Sequence, residues 1–232
     1  GCLNPDGEVL WTQVFGGNDI DIISDIQVDQ DNNIVFCAQF RGTITLGANQ
    51  YFSGINPTTN QPSYDLLVVK LNPNGDLLWS KQGKTSRDDQ SLQLAISPQN
   101  EIYMTGIFSD TLQFDNTYLN TSFGMGFLMK MAASGEELWF RRIWSNVTNI
   151  AGLAFQNNQL FLTGNFSGQQ KFASNNQPLS GTGFTSNLTN KYYLAAYDTS
   201  GSLDWAITEG SSNAVAVKGL TVTAVSYTHL TL

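Results

Sequence analysis

The chain has 232 residues, 41% hydrophobic and 12% aromatic, with 13% charged side chains and a formal net charge of −8. That length holds one large or two small domains, and so few charges among so many apolar residues exclude a charge-driven disordered chain. The acidic balance repels phosphate backbones and excludes nucleic acid as a partner, and two cysteines are too few for a disulfide scaffold.

Read from its start, the chain opens on LNPDGEVLW (3–11): an apolar residue, a polar turn ending in Gly7, then a strand closing on Trp11. The pattern returns as LNPNGDLLW (71–79) with Gly75 and Trp79, as MAASGEELW (131–139) with Gly135 and Trp139, and as YDTSGSLDW (197–205) with Gly201 and Trp205. The tryptophans follow one another at intervals of 68, 60 and 66 residues. A period of that length, held by one Gly and one Trp, marks a repeat architecture. The Gly is expected to supply a positive φ for the turn, and the Trp to fill the gap to a neighbouring unit.

Between these signatures come three further strands per repeat. The first is ISDIQVD (23–29), LQLAIS (92–97) or AGLAF (151–155), followed by the polar turns QDNN, PQN or QNN. The second aligns without a gap as IVFCAQFRGTITL (34–46), IYMTGIFSDTLQF (102–114) and LFLTGNFSGQQKF (160–172). Period-two alternation places Ile34, Phe36, Ala38 and Phe40 on one face, matched by Ile102, Met104, Gly106 and Phe108, and by Leu160, Leu162, Gly164 and Phe166. Its third position is always small, which implies close approach by a neighbour. The third strand is DLLVVKL (65–71), GFLMKM (126–131) or YYLAAY (192–197). Four short strands, no helical pattern and tandem repetition predict an all-β fold: a partial β-propeller with about three full repeats and the start of a fourth, over residues 1–224, the repeats beginning near 3, 71, 131 and 197. No apolar run approaches the roughly 18 residues of a membrane helix, so membrane insertion is not expected. Three repeats and part of a fourth fall short of a ring of about 4–8 blades, so further blades of a parent chain are expected partners.

The segments of most variable length lie between the second and third strands: 47–64, 115–125 and 173–191. They read as loops on a rigid scaffold, where binding tends to reside. Their amides, hydroxyls and single rings, Tyr51, Phe52, Tyr118, Phe123 and Phe184, suit a glycan or protein; the plainer reading, preferred here, tucks these rings against their own blades.

Candidate chemistry is thin. The only histidine is His229, which leaves no catalytic triad or zinc set, and no catalytic residue, metal or cofactor is assigned. DQDNN (29–33) offers oxygens at calcium-like spacing, but the equivalent turns lack its paired Asp, and an Asx-rich turn is the preferred reading. Arg87, Asp88 and Asp89 read as a solvated loop rather than an acid–base pair. Cys2, beside Gly1, falls at the repeat position of Lys70 and Lys130 and reads as a strand end rather than a lipidation site; Cys37 reads as a small strand residue. Sequons at Asn120, Asn146, Asn165 and Asn187 matter only where the host glycosylates them.

The G-x-L-W-like turn strand, the I-x-V-D-x-x-N-N-I hairpin at 26–34, YMTGIFS (103–109) and FLTGNFSG (161–168) resemble the SBBP-type β-propeller repeats of bacterial secreted and surface proteins. The resemblance spans nearly all of 1–224 and departs at MAASGEELW and at Asp204. It implies a non-catalytic scaffold or binding module of a larger protein, secreted or at the cell surface. YDTSGSLDWAITEG (197–210) also resembles the tryptophan repeat of pyrroloquinoline-quinone dehydrogenases, which makes a quinone-dependent enzyme the alternative, with an accessory domain beside a hydrolase as a third reading. The tail VSYTHLTL (225–232) resembles the translation of a transposase adapter from sequencing libraries and is expected to be non-native.

Overall fold

A computed structural model describes residues 1–87, 90–115, 117–121, 124–174, 177–185, 191–209, 217–222 and 228–231. Among the described residues there are strands and the turns and irregular segments that join them, and no helix. The chain enters on β1 (Cys2–Leu3), β2 (Val9–Trp11) and β3 (Gly16–Gly17). A first four-stranded antiparallel unit follows: β4 (Asp21–Val28), β5 (Ile34–Arg41), β8 (Tyr64–Leu71) and β9 (Leu77–Thr85), with the short β6 (Thr43–Leu46) and β7 (Asn49–Phe52) between its second and third strands. The second unit is β10 (Gln90–Ile96), β11 (Ile102–Phe108), β14 (Met125–Met131) and the start of β15 (Glu137–Gln156), with β12 (Thr111–Phe114) and β13 (Thr117–Asn120) in the same intermediate place. The third takes the end of β15, β16 (Gln159–Ser174), β18 (Lys191–Asp198) and β19 (Leu203–Glu209), with β17 (Gln177–Thr185) paired to β16. β20 (Gly219–Val222) and β21 (Thr228–Thr231) close the chain as an antiparallel pair. This is an all-β partial propeller of four-stranded sheets.

The turns explain their own recurrence. In NPNG the Asn72 side-chain oxygen accepts the amides of Asn74 and Asp76 at 2.9 Å each, and Gly75 completes the turn at φ 87°. Asn4 and Asp198 accept in the same way. Ala132 has no such oxygen, and there the backbone alone closes the turn, Ala132 N to Glu136 O at 2.8 Å and Gly135 N to Ala132 O at 2.9 Å. At the other tight turn, Asp29 accepts the amides of Asp31 and Asn33, and Ser97 Oγ those of Gln99 and Glu101. Asn32, Asn100, Asn157 and Asn158 supply its left-handed residues.

Packing lies between sheets. Ile34, Phe36, Ala38 and Phe40 face a cluster with Trp11 and Phe15 of the preceding segment. The opposite face of the first unit, Val35, Cys37, Leu66 and Val68, packs on Leu92, Leu94, Ile102, Met104 and Phe108 of the second. Tyr103 and Leu128 then meet Leu160, Leu162, Phe166 and Tyr193 of the third. The small third position has a steric cause: a Cβ on Gly164 would stand 2.2 Å from the Asn149 carbonyl oxygen, and one on Gly106 2.6 Å from Leu92.

Two expectations need correction. The segments after the second strand are not loops: 49–52, 117–120 and 177–185 are strands. Each returns along the strand before it, and that strand pairs with the outermost strand of the preceding unit. β6 pairs with β3 (Ile44 opposite Gly17), β12 with β9 (Leu112 opposite Thr85), and β16 with β15 (Phe172 opposite Ile143). Each unit thus lends a hairpin to the rim of its predecessor. The second correction is continuity. AGLAF is not a separate strand; β15 runs unbroken from the last strand of one unit into the first strand of the next, with register shifts at 145/146, 147/149 and 150/152 in place of a loop. Bulges bend the strand where a connection was expected.

Candidate functional site

Because the strands alternate in direction, the two kinds of tight turn lie at one end of every sheet and the hairpins and unit-to-unit crossings at the other. The variable end carries two candidate surfaces, one at the axis and one at the rim.

At the axis, the first strands of successive units stand side by side: β10 lies against β4 and β15, and β15 against β20. β4 and β10 each carry a register shift near the start, and β15 carries its shifts midway, where it passes from one unit into the next. At the shift in β4, Asp25 reaches across and accepts the Leu94 amide of the next unit at 2.8 Å. Where these shifts converge, Ser24, Gln93, Asn149, Ala151, Val217 and Lys218 line a cavity of about 280 Å³. Its lining is polar at Ser24, Gln93 and Asn149 and apolar at Leu92, Ile150, Ala151 and Val217, with one exposed cation, Lys218. None of these residues was singled out in the sequence, because the cavity gathers them from three distant strands and from the segment leading into β20.

At the rim, the predicted rings part company. Tyr51 turns inward, its hydroxyl 2.7 Å from Ser80 Oγ and 3.1 Å from the Ser80 carbonyl, which ties the hairpin to its own unit. Phe52 and Tyr118 stand out at 61% and 62% exposure. Phe184 lies opposite Gln170 in β17, the register place that Leu119 holds opposite Leu112. Phe123 lies outside the described residues. No ring contact joins Tyr51, Phe52 and Tyr118 among the described residues. The second hairpin is held by Thr117 donating to Glu137 and by Lys81 paired with Asp115 at 2.8 Å.

The Gly and Trp positions occupy the opposite end. Trp11 lies over Gly75, Trp79 over Gly135 and Trp139 over Gly201, with ring atoms about 3 Å from where a Cβ would stand. The indole nitrogens donate to the carbonyls of Pro73 at 2.9 Å, Ala133 at 3.1 Å and Thr199 at 3.1 Å. A side chain at these glycines would meet both a forbidden φ and a ring.

Two buried carboxylates bracket the first unit. Asp29 meets Lys70 Nζ at 2.8 Å and accepts two amides and the Asn33 side chain. Burial pushes its carboxyl up, and the bonds from Lys70 and Asn33 outweigh that, so it stays below the usual value. Its oxygens serve a turn and an ammonium. Asp65, at the hairpin end, accepts Gly54 N at 3.1 Å, Thr85 N at 3.2 Å and Gln82 Nε2 at 2.7 Å. Burial lifts it to about 6, only partly offset by these donors. Cys37 is buried, and its thiol is pushed up by desolvation. Asn165, within a sequon, is buried and accepts the Val217 amide at 3.1 Å. Asp88 and Asp89 lie outside the described residues; Arg87 is exposed, 3.9 Å from Asp110. Thr221 lies opposite His229 in the β20–β21 pair. Among the described residues no group of three His, Cys, Asp or Glu side chains is arranged to hold a metal, and no helix is long and apolar enough to cross a membrane.

No protein-family model matches the chain. Over 94% of its length it is 21% identical, across 247 residues, to an uncharacterized WD repeat-containing protein, L264, of Acanthamoeba polyphaga mimivirus, and it spans 18% of that relative's length. With the repeated sheets, this supports a β-propeller-like repeat protein. The period of 60–68 residues exceeds the roughly 40–45 of a WD-type blade, and the rim hairpin accounts for much of the difference.

Proposed function

We propose that the chain is a propeller segment that binds a protein partner without catalysis, through the axial cavity at its variable end. The cavity's chemistry carries this reading. Ser24 and Gln93 offer donors and acceptors suited to peptide groups, and Lys218 suits a carboxylate. Similarity to a WD repeat-containing protein supports a repeat scaffold. The SBBP-type resemblance supports a secreted or cell-surface setting, and further blades of a parent chain would complete the ring.

The test is peptide selection on the chain, followed by measured affinities. Selected peptides should bind at least about tenfold more weakly to Gln93→Arg and unchanged to Tyr118→Ala, since one lost central contact is worth roughly 1.4 kcal/mol or more. The reverse pattern would move the site to the rim. That is the second reading, favoured by the exposed rings Phe52 and Tyr118: stacking of a glycan on the hairpins. Dye-linked alcohol oxidation after adding pyrroloquinoline quinone and calcium would replace both with an enzyme.

A further inference from the structure

The sequons are a motif that the axial reading leaves unused, and the fold sorts them. Asn165 is 5% exposed, sits in β16 with a paired neighbour on either side, Asn149 and Tyr192, and accepts the Val217 amide. An enzyme reaches it only by unfolding the third unit. Asn120 is exposed at the end of β13, in the rim hairpin that the second unit lends to the first. That hairpin belongs to an interior joint, with a four-stranded unit on each side. Asn187 and the side chain of Asn146 lie outside the described residues.

A second observation falls beside Asn120. Tyr118 stands two residues earlier in the same strand, so the two side chains leave one face, about 7 Å apart along it. The Tyr118 ring is 62% exposed. Leu112 and Leu119 fill the inward face of the hairpin, so the fold does not need the ring for burial. Ring and asparagine coincide in this hairpin and not in its counterparts. The same register places hold Gln50 and Phe52 in the first hairpin, and Gly183 and Thr185 in the third.

We propose that Asn120 is a glycan acceptor in the folded chain and that the Tyr118 ring is the platform for its first sugar. On an unfolded chain Asn165 would be taken as well, and a sugar there would block the third unit. The transfer therefore follows folding, and the donor is a soluble nucleoside diphosphate sugar. A bond forms between Asn120 Nδ2 and the anomeric carbon, and the anomeric C–O bond breaks. The nucleoside diphosphate leaves with that electron pair, Nδ2 gives up one proton, and nothing is oxidised or reduced. The apolar face of the pyranose then covers the Tyr118 ring and holds the glycan along the rim.

The test treats purified, folded chain with UDP-glucose and a soluble N-glycosyltransferase. The enzyme is one selected because it glucosylates synthetic peptides of both sequons, 114–126 and 160–172. Peptide mapping by mass spectrometry should find glucose at Asn120 in at least about tenfold excess over Asn165, whose exposure needs an opening of the sheet. Asn120→Gln should take none at that place, and Tyr118→Ala should keep full occupancy. Glucose should raise the melting temperature of wild type by about 2 °C or more and leave that of Tyr118→Ala unchanged. A bare Asn120 in the folded chain, beside a modified peptide, overturns the proposal. Equal modification of Asn165 does so too, since the enzyme would then be reading opened chain. An equal thermal gain in wild type and Tyr118→Ala overturns the role of the ring.

Discussion

Asp29 and Asp65 lie in the same sheet, both buried, at opposite ends, and their carboxyls move in opposite directions. Asp29 faces an ammonium at 2.8 Å; Asp65 has only uncharged donors within bonding distance, three N–H groups and the Thr85 hydroxyl. Neutral donors stabilise a buried carboxylate less than a cation does, so Asp65 stays near 6 while Asp29 falls below its ordinary value. The turn end of the unit is therefore locked by charge, and the variable end is held by a group that titrates near neutrality.

The comparison breaks most sharply at Lys70. Lys70→Met should cost about 3–5 kcal/mol in urea unfolding, because it strands a buried carboxylate and removes a bond to the Ala133 carbonyl. Adding Asp29→Asn should recover a large part of the loss. A cost below about 1 kcal/mol would show that the Asx turn alone satisfies Asp29. At the other end, Asp65→Ala should cost about 2–4 kcal/mol by orphaning three donors, and 53–63 should become the most protease-sensitive stretch.

Asp65→Asn separates charge from bonding. The folded carboxyl titrates above the unfolded one, so the folded state holds a proton between about pH 4 and 6 that the unfolded state has released. Stability from this group is greatest below that window and falls as pH rises through it. The Asn variant should therefore be more stable than wild type by on the order of 1–3 kcal/mol at pH 8 and no more stable at pH 4. Asp29 has the opposite sign: its contribution is full above the ordinary carboxyl value and is lost as pH falls through its lowered one.

Two weaker pairs calibrate the scale. Lys130, at the repeat position of Lys70, pairs with Glu101 at 2.8 Å, with side chains 12% and 29% exposed. Lys130→Met should cost only about 0.5–2 kcal/mol, since Glu101 retains access to water. Lys81→Ala, which opens the rim pair with Asp115, should cost roughly 0.2–1 kcal/mol and lose even that in high salt. A Lys81 effect equal to that of Lys70 would mean that burial is not what separates them.

Much of this architecture is local and was legible in the residues. Period-two alternation carried the strands and their buried faces, because side-chain direction in a strand depends on position alone. Asn72, Gly75 and their counterparts carried the turns, because an Asx oxygen and a positive φ act within five residues. Tertiary structure decided the rest. The rim hairpins were hidden because β6 and β12 continue the alternation of β5 and β11, and only a left-handed Gly42 or Asp110 and a partner strand from the preceding unit turn them aside. The axial cavity and the opposite fates of Asp29 and Asp65 depend on neighbours tens of residues away. Desolvation and close packing arise from what surrounds a side chain, and alternation along one strand carries no record of that.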